Sequence, residues 1–385
     1  MKIGILTYRQ YPYVSANTAI GYTLGETICK RYNYDVVFIG YKQSESQKDV
    51  NKYHEIPIHF LNENIGREKH YSHIRNKLKS ILGEEYFVKK EAEHLKAIVS
   101  RERIDVLISV IAPISSAFIS YVAKLDIPVF LYQLDPFYNV GDVENEKLKR
   151  AFLKMLPSFN KIYTTDLLYK DYLKDSSIEK FREKMSIVQF PKIVEPASPK
   201  KNLEHEKIRL LYGGTLYRRI RNPKILLELY YKLSDKCEIV YLGKCDVEED
   251  QELLEESGII CKGFCSQEEL KEEIAEADIL INIGNFVRNQ LGSKLIEYIA
   301  TGKPILNIYQ FEECPTLDVL KKYPYKFNIS VYDLYKSKDK ELEMIRFIRE
   351  KKGKQEKFPK IRELYQEYTP EHLAEVIVND IKVIS

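Results

Sequence analysis

Apolar and polar residues alternate along the first half of the chain in blocks that predict strands and helices in turn. Residues 2–7 form a short apolar run typical of a buried strand, residues 19–31 have helical spacing, and residues 34–39 form a second apolar run. The alternation recurs further along, in three segments: Val106–Ile111, residues 114–124 and Val129–Gln133. Strands that alternate with helices in this way predict a mostly parallel, doubly wound sheet.

A second series of the same kind follows a proline-rich stretch. Pro191, Pro196 and Pro199 lie within nine residues in a charged segment, which predicts a linker at residues 191–207. The expected organisation is one Rossmann-like domain at residues 1–190 and another at residues 208–360. A helix in residues 361–385 is expected to pack back on the first domain. Two such domains imply a cleft between them, with ligands beyond the carboxyl ends of the strands.

Composition narrows the functional classes. The 385 residues contain 60 Lys and Arg against 57 Asp and Glu, a formal charge of +3, which argues against a dedicated nucleic-acid binder. The chain starts directly with a predicted strand, so a cytoplasmic protein is expected. The basic, aromatic segment at residues 69–97 leaves two interpretations open: peripheral contact with the inner face of a membrane, or a solvated amphipathic helix.

The segment at residues 285–305, NFVRNQLGSKLIEYIATGKPI, predicts a loop, a short helix and a strand. Ser293 is the expected N-cap, Gly302 the stop, and the strand is expected at Ile305–Tyr309. Lys294 then lies at a helix N-terminus, which suits a phosphate, and Glu297 lies one turn further along the same side, where it suits a ribose diol. The alternative is an ordinary surface ion pair at i,i+3 spacing.

Three segments of the second half resemble the family 4 glycosyltransferases of the GT-B fold, which include many capsule, exopolysaccharide and lipopolysaccharide enzymes. SKLIEYIATGKPIL at residues 293–306 is similar to a family signature around a glutamate. The segments IRLLYGGTLYRRIRNPKILLEL (208–229) and GFCSQEELKEEIAEADILIN (263–282) are similar to two other stretches of its donor domain. The resemblance implies an α/β GT-B fold with an N-terminal acceptor domain and a C-terminal nucleotide-sugar domain.

The same resemblance implies roles for individual residues. Glu297 matches the glutamate that binds the ribose, and Gly292, Ser293 and Lys294 match the loop and helix start facing the diphosphate. The turn after the first donor-domain strand contains Gly214, and Thr215 stands where the family commonly has an arginine. The diphosphate contacts are therefore assigned to Arg218 and Arg221, with solvated surface arginines as the alternative.

Two departures from the family pattern concern the sugar and the acceptor. Asn289 stands eight residues before Glu297, where the family often has a glutamate that contacts the transferred sugar. Asp135 is the ionisable residue in the turn where the family often has a histidine, and it is expected either to orient the acceptor hydroxyl or to cap the turn. The predicted catalytic residues are thus Asp135, Arg218 and Lys294.

The chain contains no D-x-D motif, so no metal site and no cofactor are expected beyond the nucleotide-sugar co-substrate. The expected activity is transfer of a sugar from a nucleotide-diphosphate sugar to a glycan or lipid-linked acceptor, with retention of configuration as the resemblance implies. Lysine, arginine and a helix N-terminus would then meet the charge of the leaving group. The alternatives are a GT-B sugar-nucleotide epimerase and a non-catalytic nucleotide-sugar-binding partner.

Overall fold

The computed structural model describes residues 1–10, 16–42, 52–61, 84–111, 114–140, 143–196 and 206–384. These residues form two compact units. The first comprises Met1–Pro191 together with Glu367–Ser385, and the second comprises Lys192–Gln366. The N-terminal part of the basic segment at residues 69–97 and most of the expected linker lie outside the described residues.

The first unit is built on an eight-stranded sheet with the order β10-β9-β6-β5-β1-β2-β4-β3. Its strands are parallel except for β3, which pairs antiparallel with β4. The strands are β1 (Lys2–Arg9), β2 (Asp35–Tyr41), β3 (Lys52–Tyr53), β4 (Ile56–Phe60), β5 (Val106–Ile111), β6 (Val129–Gln133), β9 (Lys161–Thr164) and β10 (Met185–Ile187), and a separate hairpin consists of β7 (Asn139–Val140) and β8 (Val143–Glu144).

Helices connect these strands, as parallel pairing requires. They are α1 (Ala16–Tyr32), α2 (Glu84–Phe87), α3 (Lys89–Glu102), α4 (Ser115–Ala123), α5 (Glu146–Met155), α6 (Asp166–Lys174) and the C-terminal α15 (Pro370–Ile384). Helix α15 contacts α1. Its Asp380 accepts a hydrogen bond from Tyr163 at 2.9 Å and pairs with Lys161 at 3.1 Å, so it is fixed to β9 of the same unit.

The second unit is built on a six-stranded, fully parallel sheet with the order β13-β12-β11-β14-β15-β16. The strands are β11 (Ile208–Gly213), β12 (Cys237–Leu242), β13 (Ile260–Gly263), β14 (Ile279–Ile283), β15 (Ile305–Tyr309) and β16 (Lys326–Ser330). The helices are α7 (Pro223–Leu233), α8 (Glu248–Glu256), α9 (Gln267–Glu276), α10 (Ser293–Ala300), α11 (Pro315–Leu320), α12 (Val331–Lys336), α13 (Lys338–Lys351) and α14 (Phe358–Leu364).

Burial explains why the apolar runs become central strands. Every residue of β5, β6 and β14 is buried, because helices cover both faces of a doubly wound sheet. The α/β fold class expected from the alternating pattern is confirmed. Among the described residues, no helix is both long enough and apolar enough to cross a membrane.

Candidate functional site

The strand order of the second unit defines one position where loops diverge. Strand β11 pairs with β12 on one side and with β14 on the other, so the chain leaves β11 in one direction and returns on the opposite side. The loops that follow β11 and β14 therefore separate at the carboxyl edge of the sheet. Ligands of doubly wound sheets bind in the crevice at such a switch point.

Helix α10 begins in the loop that follows β14. It starts at Ser293, and its N-cap is Gly292, which makes no side-chain capping bond. The sequence-based assignment of Ser293 as the N-cap is thus wrong by one residue, because the Gly292 carbonyl already accepts a hydrogen bond from the Leu295 amide at 3.2 Å. An N-terminus without a side-chain cap leaves backbone N–H groups and partial positive charge for an anion. Gly302, with a φ of 71°, ends the helical segment before β15.

Tyr298 connects α10 to the end of β11. Its hydroxyl accepts a hydrogen bond from the Gly213 amide at 2.8 Å, and only 1% of the residue is exposed. A side chain at Gly213 would meet Leu270, whose Cδ1 is 2.9 Å from the Cβ position, and the Tyr298 hydroxyl. Gly213 therefore allows the turn after β11 to approach α10 closely.

Hydrogen bonds also join the loop after β14 to the turn after β11, which contains Arg218, Arg219 and Arg221. The Phe286 amide donates to the Ile220 carbonyl at 2.9 Å. The Gln310 amide group donates to the same carbonyl at 2.6 Å and to the Gly284 carbonyl at 2.5 Å. The two loops are consequently fixed relative to one another at the switch point.

A small pocket lies where these loops and the helix start meet. Residues from both loops and from α10 line it, including Tyr212, Gly213, Arg221, Asn285, Gly292 and Lys294. The Tyr212 hydroxyl and the Arg221 Nε are buried, and neither has a hydrogen-bond partner among the described residues. Burial raises the pKa of Tyr212, so the hydroxyl is a neutral donor at ordinary pH. A pocket with unpaired donors, two cationic side chains and a helix N-terminus fits an anion.

Glu297 lies one turn along α10 from the pocket. Its Oε2 accepts a hydrogen bond from Lys294 at 2.5 Å, and its Oε1 is 3.1 Å from the Nζ of Lys192. Burial alone would raise the pKa of Glu297, but the charges of Lys192 and Lys294 outweigh it and lower the pKa below the ordinary value of a glutamate. The carboxylate is therefore ionised and retains lone pairs for further donors.

The structure separates the two arginines to which the sequence assigned the diphosphate. Arg221 lines the pocket, whereas Arg218 forms a two-point interaction with Asp250 of α8, at 2.8 and 3.0 Å. The Arg218 backbone amide also donates to Asp246 at 2.9 Å. The contacts of Arg218 favour a structural role in holding the turn against α8, and its catalytic assignment stays a prediction.

The remaining predicted donor-binding residues surround this pocket. Gly214 has a φ of 154°, and a Cβ at Gly243 would overlap the Gly214 carbonyl oxygen, so the two turns pack backbone against backbone. Thr215 and Ser293 are partly buried, and Asn289 is only 4% exposed in the loop before α10. Their roles toward a donor stay predictions.

Asp135 belongs to the first unit, at the carboxyl end of β6. Asn17 of α1 donates to its Oδ2 at 2.9 Å, and the Gln133 side chain donates to its carbonyl at 3.0 Å. Gln133 is in turn fixed by the Tyr172 hydroxyl, which donates to it at 2.8 Å. These contacts hold the turn around one partly buried carboxylate, and both expected roles of Asp135 stay predictions.

Three residues near the site were missed by sequence reasoning: Lys192, Tyr212 and Tyr298. The sequence places Lys192 in a linker, Tyr212 inside a predicted strand, and Tyr298 on the same helix face as Lys294 and Glu297, although the structure buries Tyr298. Among the residues that the structure describes, no three His, Cys, Asp or Glu side chains are grouped as a metal site requires. Metal independence of the reaction stays a prediction.

Comparison with known proteins identifies the fold. The chain matches no family model and no curated protein. Sucrose-phosphate synthase from Thermosynechococcus elongatus is similar, with a TM-score of 0.63 at 13% identity over 99% of this chain and 98% of that one. A glycosyltransferase from Rickettsia africae has a TM-score of 0.62 at 12% identity, over 100% and 98%.

A putative UDP-N-acetylglucosamine 2-epimerase from Listeria monocytogenes is nearly as similar. Its TM-score is 0.61 at 10% identity, over 99% of this chain and 95% of that one. The fold is thus that of the GT-B proteins, as the sequence resemblance implied. At such identities the comparisons show the fold alone, and membership of family 4 stays a prediction.

Proposed function

We propose that this protein is a glycosyltransferase that moves a sugar from a nucleotide-diphosphate sugar to a glycan or lipid-linked glycan acceptor. The observation that carries the proposal is the pocket at the β11/β14 switch point. Arg221, Lys294 and the N-terminus of α10 converge there, and the ionised carboxylate of Glu297 follows one turn later. An anion site followed by a carboxylate that can accept hydrogen bonds from two hydroxyls matches the succession of diphosphate and ribose in a nucleotide.

In the proposed reaction the bond between the sugar C1 and the diphosphate oxygen breaks, and its electron pair leaves with the diphosphate. Arg221, Lys294 and the helix N-terminus stabilise that negative charge. The acceptor oxygen bonds to C1 from the same face, and its proton passes to the departing diphosphate. Retention, metal independence and the role of Asp135 in orienting the acceptor belong to the proposal.

Donor binding is tested first, with a thermal-shift panel of UDP, GDP, CMP, TDP and their sugars on the full chain. A ligand at about 100 times its dissociation constant stabilises by about 2.7 kcal/mol, which raises the unfolding midpoint by several degrees. Stabilisation by at least one nucleoside diphosphate is expected. A panel with no shift would count against the proposed function.

Glu297→Ala tests the site within that panel. Loss of a charged hydrogen-bond acceptor for two ribose hydroxyls is expected to reduce turnover of the nucleotide sugar by about 100-fold or more, while the variant still unfolds cooperatively. Steady-state turnover and a thermal melt measure the two effects. Unchanged turnover in this variant would contradict the assignment of Glu297 as the residue that binds the ribose.

The second candidate is a sugar-nucleotide epimerase, since the epimerase from Listeria monocytogenes shares the fold and Asn289 replaces a residue often expected to contact the transferred sugar. Product analysis separates the two functions. An epimerase converts UDP-N-acetylglucosamine without an acceptor, whereas a transferase releases the nucleoside diphosphate in proportion to the glycosylated acceptor.

A further inference from the structure

Glu297 is held by two lysines, and the sequence assigned a role to one of them. Lys294 contacts Oε2, and Lys192 contacts Oε1 at 3.1 Å. The side chains are 23%, 16% and 25% exposed for Lys294, Lys192 and Glu297, so all three are largely withdrawn from water. Because exposed ion pairs contribute little and partly buried ones are screened less, this arrangement is more than a chance surface contact.

The backbone places Lys192 firmly. It follows the buried Pro191 and precedes Ile193, which is 2% exposed. The Lys192 carbonyl accepts a hydrogen bond from the Val194 amide at 3.0 Å. These neighbours constrain the backbone at Lys192, and its side chain is only 16% exposed where it contacts Glu297.

The two lysines differ in what else they reach. Lys294 lines the anion pocket, so a bound phosphate attracts its ammonium away from Glu297. Lys192 contacts the opposite carboxylate oxygen. Burial opposes ionisation of Glu297, and both lysines lower its pKa. Lys192 is therefore suited to hold the Glu297 carboxylate while Lys294 contacts the phosphate.

We propose that Lys192 is a positioning residue that holds the Glu297 carboxylate in the orientation in which it accepts hydrogen bonds from the two ribose hydroxyls of the donor. This inference rests on the proposed function, because it presupposes a nucleotide at the pocket. Lys192 acts through Glu297 and contributes to discrimination between ribose and 2′-deoxyribose.

The test compares the affinities of the full-length protein for UDP and 2′-deoxy-UDP, and for GDP and 2′-deoxy-GDP, by titration calorimetry. In the wild type, the ribonucleotide is expected to bind about 10-fold or more tightly than its 2′-deoxy analogue, because a charged acceptor meets the 2′-hydroxyl. In Lys192→Met this ratio is expected to fall toward one, and Lys192→Arg is expected to restore part of it.

Lys232→Met is the matched control. Lys232 is 18% exposed and also holds two carboxylates, Glu341 at 3.0 Å and Glu228 at 3.3 Å, but it belongs to α7. Its loss is expected to leave the ribose-to-deoxyribose ratio unchanged while lowering stability to a similar degree. Should Lys192→Met fail to fold, Lys192→Gln provides the same comparison.

The outcomes are distinct. A Lys192→Met variant that binds both nucleotides of a pair more weakly by the same factor would overturn the positioning role and leave a structural one. Unchanged affinities for both nucleotides of a pair would overturn the positioning role as well. If the wild type binds none of the four nucleotides, the proposed function itself fails.

Discussion

The two sheets of this protein both have a switch point in their strand order, but different side chains lie at the two switch points. In each unit the first strand lies inside the sheet, with its two neighbours reached in opposite directions: β1 between β2 and β5, and β11 between β12 and β14. The carboxyl edge near β11 has unpaired buried donors on Tyr212 and Arg221. A topology alone therefore does not decide what binds at its switch point.

The described part of the first edge also contains buried hydroxyls without a partner, on Ser116 and Thr164, beside a network of paired amides and hydroxyls. Gln10 donates to Thr7 at 2.7 Å and accepts from Tyr22 at 2.5 Å, and Gln133 accepts from Tyr172 at 2.8 Å. Such a network fixes loops without concentrating positive charge. The second edge places the cationic side chains of Arg221 and Lys294 at its pocket, whereas the first edge places amides, hydroxyls and the Asp135 carboxylate at the ends of its strands.

Replacement of an arginine at the second edge gives the largest expected effect on nucleotide affinity. Arg221→Met should weaken nucleoside diphosphate binding by about 10–100-fold, because it removes charge-assisted hydrogen bonds to a phosphate. Arg218→Met should change affinity by no more than about twofold, because its guanidinium is paired with Asp250. Titration calorimetry with UDP and GDP measures both, and equal losses would contradict the assignment of the anion site to Arg221.

At the first edge, Asp135→Asn separates donor from acceptor chemistry. It preserves size and the contact with Asn17 can reorganise, so nucleotide affinity should stay within about twofold. If Asp135 orients the acceptor hydroxyl, transfer should fall by about 10-fold or more. Calorimetry and a transfer assay are run on the same preparation. Normal transfer combined with lower stability would assign Asp135 to capping the turn instead.

The contact between α10 and β11 should show a smaller, mixed effect. Tyr298→Phe leaves the buried Gly213 amide without its partner at 2.8 Å, which is expected to cost about 1–2 kcal/mol in the free energy of unfolding. Because that contact positions the turn preceding Arg221, nucleotide affinity should also fall by a few fold. Urea unfolding and calorimetry measure the two quantities.

Tyr323→Phe is a control for that variant. The Tyr323 hydroxyl is also buried and donates to a backbone carbonyl, that of Lys303, at 2.6 Å, but it lies after α11. It should lose a similar amount of stability and retain full nucleotide affinity. A Tyr298→Phe variant that behaves in the same way would show that the hydroxyl stabilises the unit without shaping the pocket.

Sequence periodicity predicted the features of the two units that depend on residues close together in the chain. The central strands of both sheets, helix α10 and the i,i+3 relation of Lys294 to Glu297 follow from patterns within a few residues, whereas the outlying strands β3, β4 and β16 were not predicted. Asp250, the partner of Arg218, lies 32 residues away along the chain, and Gly213, the partner of Tyr298, lies 85 residues away. Four β-strands lie in the sequence between Lys192 and Glu297. Such contacts depend on how the strands are ordered, which no local pattern in one sequence specifies.

The smallest expected effect is the pH dependence of a single carboxylate. The pKa of Glu297 in the folded protein lies below the ordinary value of a glutamate, because the two lysines outweigh the effect of burial. Its ionisation therefore stabilises the fold above about pH 4.5, and this contribution is lost as the pH falls through the folded pKa. The difference in unfolding free energy between the wild type and Glu297→Gln should be constant near neutral pH and shrink in acid.

Asp175→Asn in the first unit provides the contrast. Burial opposes ionisation of Asp175, but hydrogen bonds from Lys149 and Ser177 outweigh it and lower its pKa to about 2, so its contribution to stability should also be lost in acid, as the pH falls toward that pKa. Urea unfolding between pH 3 and pH 7 measures both variants, and calorimetry at pH 7 should show lost nucleotide affinity for Glu297→Gln alone. If the stability difference for Glu297→Gln grew as the pH fell, the carboxylate would not be held by its lysines, and the contrast between a binding edge and a structural ion pair would fail.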